Sequence, residues 1–65
     1  MKIIVNGDER IVADGTTVRA LIADSKLTPD KVAVEVNRRL LKSDRYDHPL
    51  EEGDEVEIVT FVGGG

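Results

Sequence analysis

The absence of cysteine from a chain of only 65 residues is the tightest constraint on what it can fold into. A domain this small buries only about 60% of the surface its unfolded form exposes, and such domains are commonly reinforced by disulfides or a structural metal. With no cysteine and a single histidine, neither device is evident. The fold must rest on packed aliphatic side chains, and valine and isoleucine recur from Ile3 to Val62. The same absence excludes a thiolate metal site, a cysteine nucleophile and a thiolate-held iron–sulfur cluster. It fits a reducing, cytoplasmic setting. One domain is expected from the length.

Charge narrows the partners. Thirteen acidic and nine basic residues give a net charge of −4, the wrong sign for neutralising phosphates, so nucleic acid is not an expected partner. An aromatic content of 3% supplies no stacking platform for single strands. A basic protein surface is the sensible electrostatic target. No apolar run approaches the ~20 residues of a membrane span, and Met1-Lys2 leads straight into a strand-like segment with no signal-peptide pattern. A soluble chain, monomeric when alone, is expected.

The order of elements follows from patterning. Ile3-Ile4-Val5 leads into Asn6-Gly7, a strong hairpin signal because a type I′ turn needs positive φ at both central positions. Residues 2–6 and 9–13 should pair, with Ile3 and Val5 on one face and Ile11 on the matching face of the return strand. Thr16-Thr17 offers an N-cap, and Val18, Leu21 and Ile22 follow at helical spacing. That helix should span about residues 18–25 and stop before Pro29, with Leu27 tucked beneath. Valines at every second position make Val32–Val36 a central strand. Asn37-Arg38-Arg39 reads as a turn and Leu40-Leu41-Lys42 as a short return strand; residues 43–49 read as irregular with one helical turn, and Leu50 as a core plug. After the turn at Glu51–Asp54, residues 55–62 alternate as a half-buried final strand. A helix after a hairpin must cover one sheet face, and it is long enough to let a later strand run parallel to the first. The expected fold is α+β, a β-grasp with a mixed sheet of four to five strands under one main helix. Its domain is residues 1–62, followed by a glycine tail at 63–65.

Gly63-Gly64-Gly65 admits two readings. Terminal residues of many domains are poorly ordered. Glycine also lacks a Cβ, so such a segment is slim enough for a narrow channel and takes whatever backbone angles an enzyme imposes. At ~3.3–3.6 Å per residue it extends a terminal carboxylate about 10 Å. A free α-carboxylate is ionised at neutral pH and is a poor electrophile until activated, for example as a mixed anhydride with AMP. The chain has no phosphate-binding glycine loop and no evident nucleophile–base pair for that step. An active tail would need a partner enzyme to activate it.

Met1–Gly7, Val32–Asn37 and above all Gly53–Gly65 resemble the ThiS family, the sulfur carriers of bacterial thiazole (thiamine) biosynthesis. The resemblance implies a ubiquitin-like fold and no enzymatic activity of the chain's own. It implies an E1-like adenylating partner (ThiF-like) that uses ATP to convert the Gly65 carboxylate to an acyl adenylate, with no cofactor bound by the carrier. Sulfur from a cysteine-desulfurase system would then displace AMP to leave a thiocarboxylate, which thiazole synthase (ThiG-like) consumes. Gly64 and Gly65 map to the family's terminal pair, with Gly63 as a spacer. Phe61, Val62 and Val59 are the expected partner-binding residues, since strand parity exposes Val59 and Phe61 if Val56 and Ile58 face inward. Phe61 as a core or edge aromatic is the other reading.

Other residues carry less. Glu51, Glu52, Asp54, Glu55 and Glu57 form either a solvated face or a stretch that steers the tail to a basic entrance. Arg38, Arg39, Lys42 and Arg45 read as a solvated basic region or a secondary contact for an acidic patch. His48 near Asp44 and Asp47 reads as an exposed loop residue rather than a ligand or base, and Ser25 and Ser43 have no base partner. Tyr46 should pack beside Leu50. Two further functions stay open: a molybdopterin carrier (MoaD-like), which tends to be longer and to carry a proline before the tail, and a β-grasp interaction domain with an inert terminus.

Overall fold

Residues 1–61 are described in the structure, a computed structural model of the chain. The Asn6-Gly7 signal is realised directly. β1 (Lys2–Val5) turns through Asn6 (φ 50°) and Gly7 (φ 86°) into the antiparallel β2 (Asp8–Ile11). The turn consumes only these two residues, so the strands stop at Val5 and restart at Asp8. α1 (Val18–Asp24) begins at Thr17, whose hydroxyl accepts the Ala20 N–H. The Arg19 N–H, another donor left free by the helix start, is taken by the Tyr46 carbonyl at 3.0 Å. A two-turn helix is too short to persist alone; it is held by burying Val18, Leu21 and Ile22.

A 3₁₀ turn at Pro29–Lys31 precedes β3 (Val32–Val36), and β3 pairs antiparallel with β4 (Arg39–Leu41) through a second tight turn. Here Asn37 (φ 53°) and Arg38 (φ 68°) hold the two left-handed positions. The return strand therefore starts at Arg39, one residue earlier than the sequence suggests. A 3₁₀ turn at Ser43–Arg45 leads back over the helix, where Leu50 N–H bonds to Thr16 O at 2.8 Å. β5 (Glu55–Thr60) is the last strand.

The sheet order is β2-β1-β5-β3-β4, with β1 and β5 parallel and all other neighbours antiparallel. β3 is an inner strand, but the centre belongs to β5. Ile3, Val5, Val34, Val56 and Ile58 from the sheet meet the helix residues, with Tyr46 and Leu50 closing the core and Leu27 packed against it. This is the β-grasp arrangement. The register corrects one expectation: Ile11 lies opposite Lys2, not opposite Ile3, and is 79% exposed. A two-residue loop pairs Val5 with Asp8, which puts odd-numbered β2 residues on the face away from the helix.

β1 ends before β5 does, and a side chain completes the ladder. Asn6 Oδ1 accepts the Ile58 N–H at 2.7 Å, and its Nδ2 donates to Ile58 O at 3.3 Å. Asn6→Gly keeps the positive φ but removes both bonds. It should cost about 1–2 kcal/mol in urea denaturation, and amide exchange should accelerate first at Ile58.

Candidate functional site

The candidate site is the described base of the glycine tail together with the sheet face beside it. On β5, Val56 and Ile58 point into the core, while Val59 (58% exposed) and Phe61 (59% exposed) point to solvent. Phe61 N–H donates to Lys31 O at 2.9 Å, so the chain is hydrogen-bonded in ladder fashion one residue beyond the strand. The core-aromatic reading of Phe61 is thereby excluded. The expected site residues Val62, Gly63, Gly64 and Gly65 lie outside the described residues.

β5 is gripped from both sides at its start. Ile4 N–H reaches Asp54 O and Asn6 N–H reaches Val56 O, at 2.9 and 2.8 Å. On the other flank Asn37 N–H donates to Glu55 O at 2.7 Å, and the Asn37 side chain accepts the Glu55 N–H while donating to Asp54 Oδ1, both at 3.0 Å. Two asparagines in left-handed turn positions thus clamp the same strand.

The acidic run divides by role. Asp54 closes its turn by accepting the Glu51 N–H, and Glu52 accepts the Lys2 N–H. Glu55 and Glu57 project from the open face, and neither forms a salt bridge among the described residues. The register adds a residue that the linear sequence hides: Glu35 of β3 sits directly opposite Glu57. Like charges in that relation cost stability. Beside them the face turns apolar, with Val59 opposite Ala33 and Phe61 next in line. The tail base is therefore an apolar step below a band of carboxylates.

The remaining candidates separate from this site. Tyr46 is buried beside Leu50 in the core cluster, with the Arg19 guanidinium 6.0 Å above its ring. Asp47 is engaged by Arg19 Nε at 2.7 Å. His48 is exposed, and no group of three or more His, Cys, Asp or Glu among the described residues is placed to hold a metal. None of the described polar or charged side chains is buried.

The ThiS family's sequence profile matches residues 3–65, through all three terminal glycines. The chain belongs to the ThiS family. The sulfur carrier protein ThiS of Bacillus subtilis is 39% identical over 64 residues, covering 94% of this chain and 96% of that protein. A thiazole synthase of Paramagnetospirillum magneticum is 39% identical over 66 aligned positions, but this chain spans only 20% of its length. Such thiazole synthases contain a ThiS-like segment within a much longer protein. The thiamine biosynthesis protein ThiS of Geobacter metallireducens superposes with a TM-score of 0.79 at 33% identity, with full coverage of both chains. A ubiquitin-like protein of Caldiarchaeum subterraneum superposes at 0.51 with 27% identity over 97% of this chain and 96% of that one. ThiS proteins are non-catalytic carriers with a ubiquitin-like fold, and no described helix here is long and apolar enough to cross a membrane.

Two substitutions test the site's geometry. Phe61→Ser should change stability by no more than ~0.5 kcal/mol, as for a surface position. Glu35→Lys should raise it by about 0.2–1 kcal/mol by relieving the cross-strand repulsion. Thermal melts at low and high salt check both, and the Glu35→Lys gain should shrink as salt rises.

Proposed function

We propose that this ThiS-family chain carries sulfur to thiazole synthase in the cytoplasm, with the Gly65 carboxylate as the reactive group. The observation that supports this most is the family match running through the glycines, joined to a β5 base that is clamped on both sides and flanked by exposed Val59 and Phe61.

The chemistry follows from the carboxylate. One of its oxygens attacks the α-phosphorus of ATP on an E1-like partner. Pyrophosphate leaves, and an acyl adenylate forms. The outer sulfur of a persulfide supplied by a desulfurase system displaces AMP to give an acyl disulfide. A thiol reductant cleaves its S–S bond, and the thiocarboxylate so released hands its sulfur to a ThiG-like thiazole synthase. The thiazole synthases that contain a ThiS-like segment favour that acceptor. ATP acts on the partner's side, and no cofactor resides on the carrier. Gly63 and Gly64 serve to thread the tail, while Val59, Phe61 and Val62 dock it in the partner's cleft. Glu35, Glu55 and Glu57 steer it toward a basic rim.

Incubation with ATP, cysteine, a cysteine desulfurase, a thiol reductant and the adenylating enzyme should replace one oxygen by sulfur, read by intact mass and localised to Gly65 by fragmentation. Failure with every E1-like partner would count decisively against the carrier reading. Transfer to molybdopterin synthase instead of thiazole synthase would move the chain to the MoaD-like alternative. Phe61→Ser should slow adenylation about tenfold or more while the melting temperature stays put. The association rate with the adenylating enzyme should fall steeply as salt rises.

A further inference from the structure

The opposite edge of the sheet has a chemistry the tail does not use. Four of the nine basic residues, Arg38, Arg39, Lys42 and Arg45, fall between positions 38 and 45 of a chain whose net charge is −4. All four are exposed, and none forms a salt bridge among the described residues. Three of them, Arg39, Lys42 and Arg45, line a cleft of about 620 Å³ whose other walls are Val36, Leu40, Leu41, His48 and a single carboxylate, Asp44. Consecutive strand residues point to opposite faces, so a cleft lined by Arg39, Leu40 and Leu41 together follows the strand's outer edge.

That edge also offers backbone. β4 is the last strand of the sheet on this side. Arg39 pairs with Val36 across a two-residue turn, and Leu40 lies opposite Glu35. In such a hairpin the pair flanking the turn exchanges both hydrogen bonds and the next pair exchanges none. The Leu40 N–H and C=O therefore face away from the sheet, into the cleft.

We propose that the β4 edge receives an extended acidic segment of a partner protein as an added strand. The Leu40 backbone pairs with it, Leu40 and Leu41 take its apolar side chains, one on each sheet face, and Arg39, Lys42 and Arg45 take its carboxylates. Strand addition draws affinity from main-chain bonds and specificity from alternating side-chain sites. Arg39 and Lys42 are separated by Leu40 and Leu41 and so lie on opposite faces of the edge. That spacing suits a segment with two apolar residues between acidic ones better than a compact phosphate, which needs donors that converge. A lysine- or arginine-bearing edge also discourages unwanted pairing with neutral strands, so the same charges select an acidic one.

The test is titration of the ¹⁵N-labelled full chain, in low-salt buffer, with an acetylated heptapeptide of glutamates and valines centred on Glu-Val-Val-Glu. Amide shifts should concentrate between residues 36 and 48, with Leu40 gaining protection from exchange. Affinity should fall about tenfold or more for the Arg39→Glu/Arg45→Glu double variant, at an unchanged melting temperature. Methylating the peptide nitrogens on its pairing edge should weaken binding comparably. The proposal is overturned if the heptapeptide does not bind or if its shifts fall on the Val59–Phe61 face. It is equally overturned if the methylated peptide binds as well, or if inorganic phosphate or ATP reproduces the shifts at equal affinity. None of these readouts depends on sulfur transfer, so the carrier reading stands or falls separately.

Discussion

The hydrogen-bonding of β5 from both sides is the constraint on which the rest of the structure depends. A strand in the middle of a five-stranded sheet must have a partner for every backbone group, because buried polar groups left unpaired are costly. β3 supplies one flank by a five-residue antiparallel register, Val32–Val36 against Val56–Thr60. β1 supplies the other as a parallel partner, which is possible only because α1 and the segments around it form a long crossover between them. The parallel partner is short, and Asn6 extends it through its side chain to Ile58. Asn37 does the equivalent at Glu55. Each asparagine is doubly employed: its tolerance of positive φ makes a tight turn, and its amide stands in for a peptide group.

Because β5 is so held, its two faces can do different work. Val56 and Ile58 complete the core, and the intervening residues are left to solvent with their backbone already fixed. A strand anchored this way carries the chain to Phe61 in a defined direction, which is what a carrier presenting its terminus to an enzyme requires. The Glu35–Glu57 opposition belongs to the same logic. Core packing does not demand two carboxylates across a strand pair, and they lower stability.

Local signals in the sequence were sufficient for most of the frame. Asn6-Gly7 announced the first hairpin, Thr17 the helix cap, and the Val32–Val36 and Glu55–Ile58 alternations the buried faces; the exposure of Val59 and Phe61 followed from parity alone. What could not be read depends on register or on distance along the chain. The expected face of Ile11 fails because pairing residues 2–6 with 9–13 is incompatible with a two-residue Asn6-Gly7 loop, which sets Val5 opposite Asp8. Arg38 in a left-handed position carries no turn signal, since bulky L-residues rarely go there. Glu35 joined the acidic band only through its pairing with Glu57, 22 positions away. The cleft beside β4 was visible as a cluster of charges, but not as an edge with free backbone.

The register also relates the two ends of this surface. β3 meets β5 along its whole length but meets β4 only from Val34 to Val36, so the half of β3 nearest the tail lacks a strand on its outer side. The tail base at Phe61 lies beside Lys31, at one end of β3, and the Arg39 turn lies at the other. The carboxylates Glu35 and Glu57 lie toward that same turn, one and two strands in from the cations on the outer edge. A partner that grips the tail through a basic rim is drawn to the former and repelled by the latter. On the two proposals together, the surfaces favour partners of opposite charge.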